Sequence, residues 1–197
     1  MNNINYTKKL LEISKPISNK PDISLNIPQK IKMLFNEFNS YQSFEGALRI
    51  CCWKEIGFRN ILGWDDFMRR NIDKDTFFFA DNIIGDGFCL KDDLFFKYDF
   101  ETGDFEFMGE DLERFAKTLL LDYNYFTAYS LAKEWQIKNG VITSKEILLP
   151  KIPFILGGEY KHENLVKKPM KYGLEKKIEI KKTLENIPDG EKIIFEN

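Results

Sequence analysis

The stretch from Thr76 to Met108 constrains this chain most, because aromatic and polar residues interleave there between closely spaced turn residues. A two-residue period belongs to a half-buried strand, whose successive side chains face opposite ways. The pattern predicts four strands, Phe77 to Ala80, Gly87 to Lys91, Leu94 to Asp99 and Phe105 to Met108, joined as an antiparallel meander. Asn82 to Asp86, the pair Asp92-Asp93, and Glu101 to Asp104 are the connections. Gly103 stands where a tight hairpin needs positive φ, and Asp92-Asp93 fits a two-residue turn although neither is Gly.

From Glu110 the period lengthens to about 3.6. Leu112, Phe115, Leu119 and Leu120 form one apolar stripe, and Tyr125, Phe126, Tyr129, Ala132 and Trp135 a second, stopped by Asn139-Gly140. Two helices are therefore expected to pack on the sheet. Another helix is predicted from Pro28, with Ile31, Leu34, Phe35 and Phe38 on one face and an end by Asn39. Ala47 to Trp53 reads as a strand, Trp64 to Arg70 as a short helix, Pro150 to Tyr160 as extended chain, Pro169 to Asn186 as a lysine-rich helix and Glu191 to Glu196 as a last strand. The first 25 residues, with Pro16 and Pro21 and little apolar pattern, read as a loosely held arm. The expected architecture is α+β: an arm over 1–25 and one domain over 26–197, an antiparallel meander flanked by helices.

Eighteen Phe residues supply large apolar areas that must be buried. No run approaches the 18 or so apolar residues of a membrane span, and Met1 to Lys20 lacks the apolar run of a secretory signal, so a cytoplasmic protein without a membrane partner is expected. The three cysteines are an odd number, and Cys51 and Cys52 are adjacent, which predicts reduced thiols. The net charge of −2 hides a polarity along the chain. Asp81 to Glu113 carries eleven carboxylates against Lys91 and Lys97, whereas Lys161 to Lys182 carries eight lysines against three glutamates. An acidic centre disfavours nucleic acid there and favours a basic partner.

Catalysis needs convergent titratable groups, and the sequence offers few. His162 is the sole histidine and sits among Lys161, Glu163 and Asn164 in what reads as an exposed turn. Cys51, Cys52, Cys89 and His162 lack the paired spacings of a zinc site. Asp99 to Glu110 has the length of a calcium loop, but its sixth position is Asp104 where Gly is required, so a hairpin is the better reading. Gly85-Asp86-Gly87 lacks the third glycine of a dinucleotide turn, and Trp53, Trp64 and Trp135 read as core residues. No catalytic residue, cofactor or metal is assigned.

Several segments together resemble the SUKH superfamily. They are Gly46-Ala47-Leu48-Arg49-Ile50, Phe79-Ala80-Asp81-Asn82-Ile83 with Gly85 and Phe88, Asp99-Phe100-Glu101-Thr102-Gly103, and the helix opening Gly109-Glu110-Asp111-Leu112-Glu113. Lys151 to Tyr160, Glu163-Asn164-Leu165 and Pro188-Asp189-Gly190 resemble the C-terminal extension of a bacterial branch of immunity proteins. The likeness runs over about residues 28 to 196. Tyr41 to Gly46 keeps one glycine where the family has a Gly-Gly pair, and Phe100 stands where proline is frequent. The resemblance implies a non-enzymatic protein that neutralises a cognate polymorphic toxin, nucleases among the candidates, by binding and occluding it. The alternative it implies is a regulatory scaffold for endogenous clients, like the yeast cell-wall assembly regulator.

Under either role the partner-binding candidates are Asp86, Asp92, Asp93, Glu101, Asp104 and Glu106, in or beside the meander turns. Turn residues stay wet, so these carboxylates are expected to meet a basic partner. The chain itself is expected to be a monomer or weak dimer.

Overall fold

The computed structural model describes residues 4–17, 27–36, 38, 40–51, 72 and 75–186. Seven strands form one sheet in strict sequence order: β1 (Lys15–Pro16), β2 (Ser40–Ser43), β3 (Leu48–Cys51), β4 (Phe77–Asn82), β5 (Gly87–Lys91), β6 (Leu94–Tyr98) and β7 (Phe105–Gly109). Every neighbouring pair is antiparallel. Helices α1 (Tyr6–Glu12), α2 (Leu112–Leu121), α3 (Tyr123–Thr127), α4 (Tyr129–Asn139) and α5 (Met170–Glu185) surround it, with a second sheet of β8 (Glu146–Pro150) and β9 (Leu165–Pro169). The fold is α+β.

The meander follows the sequence pattern closely. Asp92 and Asp93 take φ of 48° and 63°, so the β5–β6 hairpin closes on two left-handed residues, as a twist-matched turn demands. Gly103 has φ +84°, a conformation that favours glycine at the β6–β7 hairpin.

Period two splits the aromatics between two faces. Phe79, Phe88 and Phe95 meet Phe115 of α2, with Leu10 of α1 and Ile31, Leu34 and Phe35 of a 3-10 segment, Gln29–Phe35. On the other face Phe78, Cys89 and Tyr98 meet Leu174 and Ile178 of α5 and Ile147 of β8. Gly173 lets α5 approach β8, since a Cβ there would come within 2.3 Å of Ile147. A third cluster joins Ile83, Leu131, Trp135, Leu148 and Leu165. Trp135 is core, and its Nε1 donates to the Leu165 carbonyl at 3.2 Å. Cys89 is a free, buried thiol, and burial pushes it above its ordinary value.

Several expectations need correction. Residues 4–17 are not a loose arm, for α1 is docked on α2 through Leu10, and Lys15–Pro16 pair with β2. The docking is polar as well as apolar. Tyr6 N–H donates to Glu113 Oε1 at 2.6 Å, and the N–H and hydroxyl of Thr7 donate to Oε2 at 3.0 and 2.9 Å. Burial pushes the Glu113 carboxyl up, but these donors together outweigh it and hold the group below its usual range. Glu113→Ala removes a cap for two helix N–H groups and is expected to cost about 1 kcal/mol. Hydrogen exchange at Tyr6 and Thr7 would accelerate, whereas unchanged protection there would dismiss the cap.

The helix foreseen over 125–139 is broken at Ala128, whose φ of 56° separates α3 from α4. The segment after Pro28 is 3-10 rather than α. Beyond Pro150 the chain is not extended but turns through a 3-10 segment, Phe154–Leu156, to a left-handed Gly157. The second sheet was not foreseen. The readings for Trp53, Trp64 to Arg70, Pro21 and Glu191 to Glu196 lie outside the described residues.

Candidate functional site

Six carboxylates were expected to share one wet face, and the fold divides them. Asp86 and Glu101 are buried, which contradicts their assignment to a partner surface. Asp86 closes the β4–β5 turn, its N–H donating to Asn82 Oδ1 at 2.9 Å and its Oδ2 accepting from Asn82 Nδ2 at 3.1 Å. Lys177, on the buried stripe of α5 with Leu174 and Ile178, brings Nζ to 3.1 Å from Asp86 Oδ1 and 3.6 Å from Glu101 Oε1. Lys97 reaches Asp86 Oδ2 at 3.5 Å. Burial raises the Asp86 carboxyl, but Lys177, Lys97 and the hydrogen bond from Asn82 together overcome it and hold the group below its ordinary 3.8. Glu101 goes the other way, for its burial outweighs the pull of Lys177 and leaves it above 4.5.

A second buried pair ties the main sheet to β8. Arg49 and Asp81 face each other across β3 and β4, with Nε–Oδ1 at 2.9 Å and Nη2–Oδ2 at 3.1 Å. The rest of the guanidinium donates to the carbonyls of Asn82 at 3.1 Å and Glu146 at 2.6 Å. Such bidentate pairing fixes geometry as well as charge. Neither Arg49 nor Lys177 was singled out from sequence. The available signal was a cation inside an apolar pattern: Arg49 between Leu48 and Ile50, and Lys177 beside Ile178. A buried cation demands a partner.

The remaining four carboxylates sit on two separate hairpins. Asp92 and Asp93 are exposed at the β5–β6 turn, with Asp93 Oδ2 3.0 Å from Lys30 Nζ. Asp104 and Glu106 belong to the β6–β7 hairpin, at the opposite end of β6. Five residues of strand put about 17 Å between the two tips, so they are two patches and not one face. Glu106 lies across from Lys97, with its carboxylate 3.8 Å from Lys97 Nζ and accepting from Tyr125 Oη at 3.1 Å. Lys97 Nζ also stands 4.9 Å from the centre of the Tyr125 ring. On the opposite face of β7 its central residue, Phe107, is 54% exposed, as is Tyr125 on the Glu106 face. These acids and aromatics, on the two faces of the outer strand β7 and on α3, form the candidate site.

His162 is less open than expected, its side chain 15% exposed and its Nε2 2.9 Å from Glu163 Oε1, with Glu134 and Lys138 alongside. Among the described residues, no group of three or more His, Cys, Asp or Glu side chains is placed to hold a metal ion. A groove of about 550 Å³ runs between α5 and residues 149–153, lined by Leu149, Ile152, Tyr172 and Ile180. Among the described residues no helix is long and apolar enough to cross a membrane.

No family model matches the chain. No curated protein matches it by sequence. Among solved structures it is similar to the crystal structure of Atu4351 from Agrobacterium tumefaciens, with a TM-score of 0.59 and 13% identity over 87% of each chain. At that identity the likeness speaks for the fold alone, a helix-flanked antiparallel sheet seen in a second protein.

Proposed function

We propose that this chain is a non-enzymatic, cytoplasmic protein of the SUKH superfamily that neutralises a cognate toxin by binding and occluding it. The observation that carries the reading is the exposure of Tyr125 beside Glu106, and of Phe107 on the opposite face of the same strand. Binding energy at protein interfaces concentrates in a few aromatic anchors, while surrounding charges set the partner's sign and the encounter rate. Aromatic anchors with carboxylates on the same strand suit a basic protein, and the active cleft of a nuclease is one such surface because it must hold phosphates. The resemblance of the sequence to immunity proteins adds the biological role. Asp104 and Glu106 remain the partner-facing carboxylates in this reading, and Asp92 and Asp93 form a second, separable contact.

The test is to co-purify the partner from the chain's own cell and ask whether binding abolishes a growth defect that the partner causes alone. A harmless housekeeping partner would favour the scaffold role instead. With the partner in hand, Asp92→Lys with Asp93→Lys and, separately, Asp104→Lys are compared with wild type at two salt concentrations. At least one hairpin is expected to show association slowed about tenfold at low salt, with a shallower salt dependence. Equal rates and equal salt slopes for both variants would sink the acidic-contact idea and leave toxin neutralisation standing.

A further inference from the structure

The two ends of the main sheet are treated differently by the sequence. A strand edge displays unpaired N–H and C=O groups, and proteins blunt such edges with proline, lysine, extreme shortness or a covering element. At one end β1 has two residues and includes Pro16. The small sheet is protected too, since β8 and β9 both finish on proline, Leu148 N–H of β8 donates to the Ile83 carbonyl at 2.8 Å, and Trp135 covers Leu165 of β9. At the other end β7, Phe105–Gly109, has five residues and carries neither proline nor lysine, and the one irregularity in its pairing with β6, at Met108, leaves Phe105–Phe107 as a regular edge. Its outer edge has no strand partner among the described residues. Its one charge, Glu106, does not guard the edge, because its carboxylate is held on the sheet face by Lys97 and Tyr125.

We propose that β7 is a strand-addition site, and that its occupant is an extended segment of a partner protein in which apolar residues alternate with Lys or Arg. The proposal rests on the reading that this chain binds a protein and names how. Main-chain bonds along an edge supply affinity, while the alternating side chains of the added strand find different surfaces. On one face of β7 the added strand meets Phe107, 54% exposed, which packs edge-on against Phe96, itself edge-on to Phe105. On the other it meets Glu106, with Asp104 exposed at the strand's entrance. The first face takes apolar side chains and the second takes cations. A second copy of this chain fits worse, because β7 has no cation to offer and two copies would bring Asp104, Glu106 and Glu110 towards their equivalents.

The test uses the full chain and three blocked, fluorescently labelled hexapeptides: alternating Lys and Val, alternating Glu and Val, and the Lys–Val sequence with alternate backbone nitrogens methylated. The Lys–Val peptide should bind and slow hydrogen exchange within Phe105–Gly109. The Glu–Val and methylated peptides should each bind at least tenfold more weakly, as should the Lys–Val peptide to Phe107→Lys. Phe107 is exposed, so that variant is expected to keep its fold, checked by its melting curve. Equal binding of the methylated peptide would exclude strand addition, and equal binding of the Glu–Val peptide would exclude a basic occupant. No binding, or no protection at β7, overturns the site itself. A dimer that Phe107→Lys dissociates would assign the edge to a second copy, and tenfold tighter peptide binding after removal of residues 187–197 would assign it to the chain's own end. Either result also overturns the proposal. These measurements need no toxin, so their failure is distinct from failure of the neutralisation assay.

Discussion

Lys177→Met is expected to lower the stability of this protein by about 3–5 kcal/mol at neutral pH, the usual consequence of removing one member of a buried charge cluster. The lysine side chain is 2% exposed and faces Asp86 and Glu101, whose side chains are 4% and 3% exposed. Methionine can replace the stem but not the charge. Asp86 would keep Lys97, at 3.5 Å, while Glu101 would lose the cation beside it. Desolvation of the carboxylates, now poorly opposed, is therefore the dominant cost.

The loss should depend on pH in a defined direction. In the wild type, Asp86 is held below 3.8, so its stabilisation is complete above about that pH and is lost as pH falls through its lower folded value. Lys177 is held above 10.5, so its contribution is complete below that value and is lost as pH rises through its folded pKa. Glu101, held above 4.5, opposes folding above its folded pKa, and that opposition fades as pH falls through it. Without Lys177 the Asp86 carboxyl loses the main cation that holds it down and Glu101 rises further, so both take up protons more readily on acidification. Urea denaturation at pH 7.5 and pH 5 should thus show the gap between wild type and Lys177→Met narrowing at the lower pH. Adding Asp86→Asn and Glu101→Gln should recover part of the loss at neutral pH. A gap under about 1 kcal/mol at pH 7.5, or one unchanged at pH 5, would falsify the buried-cluster account.

Phe115→Ala should cost a similar amount, about 3–5 kcal/mol, for an apolar reason. The ring is fully buried on α2, with its centre 5.2 Å from that of Phe79, 5.9 Å from Phe88 and 5.4 Å from Phe95. Those three rings come from three successive strands whose register is locked by the meander, so they are poorly free to collapse into the space left behind. A cavity then adds to the lost transfer energy. For a chain of 197 residues the melting temperature should fall by about 6–20 °C with the denaturant slope unchanged. A fall of less than about 3 °C would show that the sheet relaxes around the gap.

Function was less legible in the sequence than fold. Asp104 and Glu106 were found as hairpin acids, and the exposed Phe107 between strand residues of the same pattern was not, because alternation alone cannot distinguish a core-facing phenylalanine from one at an open edge. Asp86 and Glu101 read as wet turn residues because turns usually are wet. The second sheet was missed for a related reason. Leu148 and Leu149 in β8 form a run without alternation, and Lys167-Lys168 in β9 resemble a solvated face, so neither carries a period-two signal.

By itself the sequence determined the elements whose signals are near-neighbour effects. The order and antiparallel sense of β4 to β7, the left-handed turn at Asp92-Asp93 and the stripe of α2 all follow from residues within a few positions of one another. The tertiary structure alone decided which charges are structural and which are free. Lys177 meets Asp86 across 91 positions, and Arg49 meets the Glu146 carbonyl across 97. A local pattern is blind to such contacts, since a carboxylate becomes a core residue only when a distant cation arrives to neutralise it. The lysine-rich end of the chain thus supplies the central cation of its acidic middle, while Asp92, Asp93 and Asp104 stay exposed at the hairpin turns.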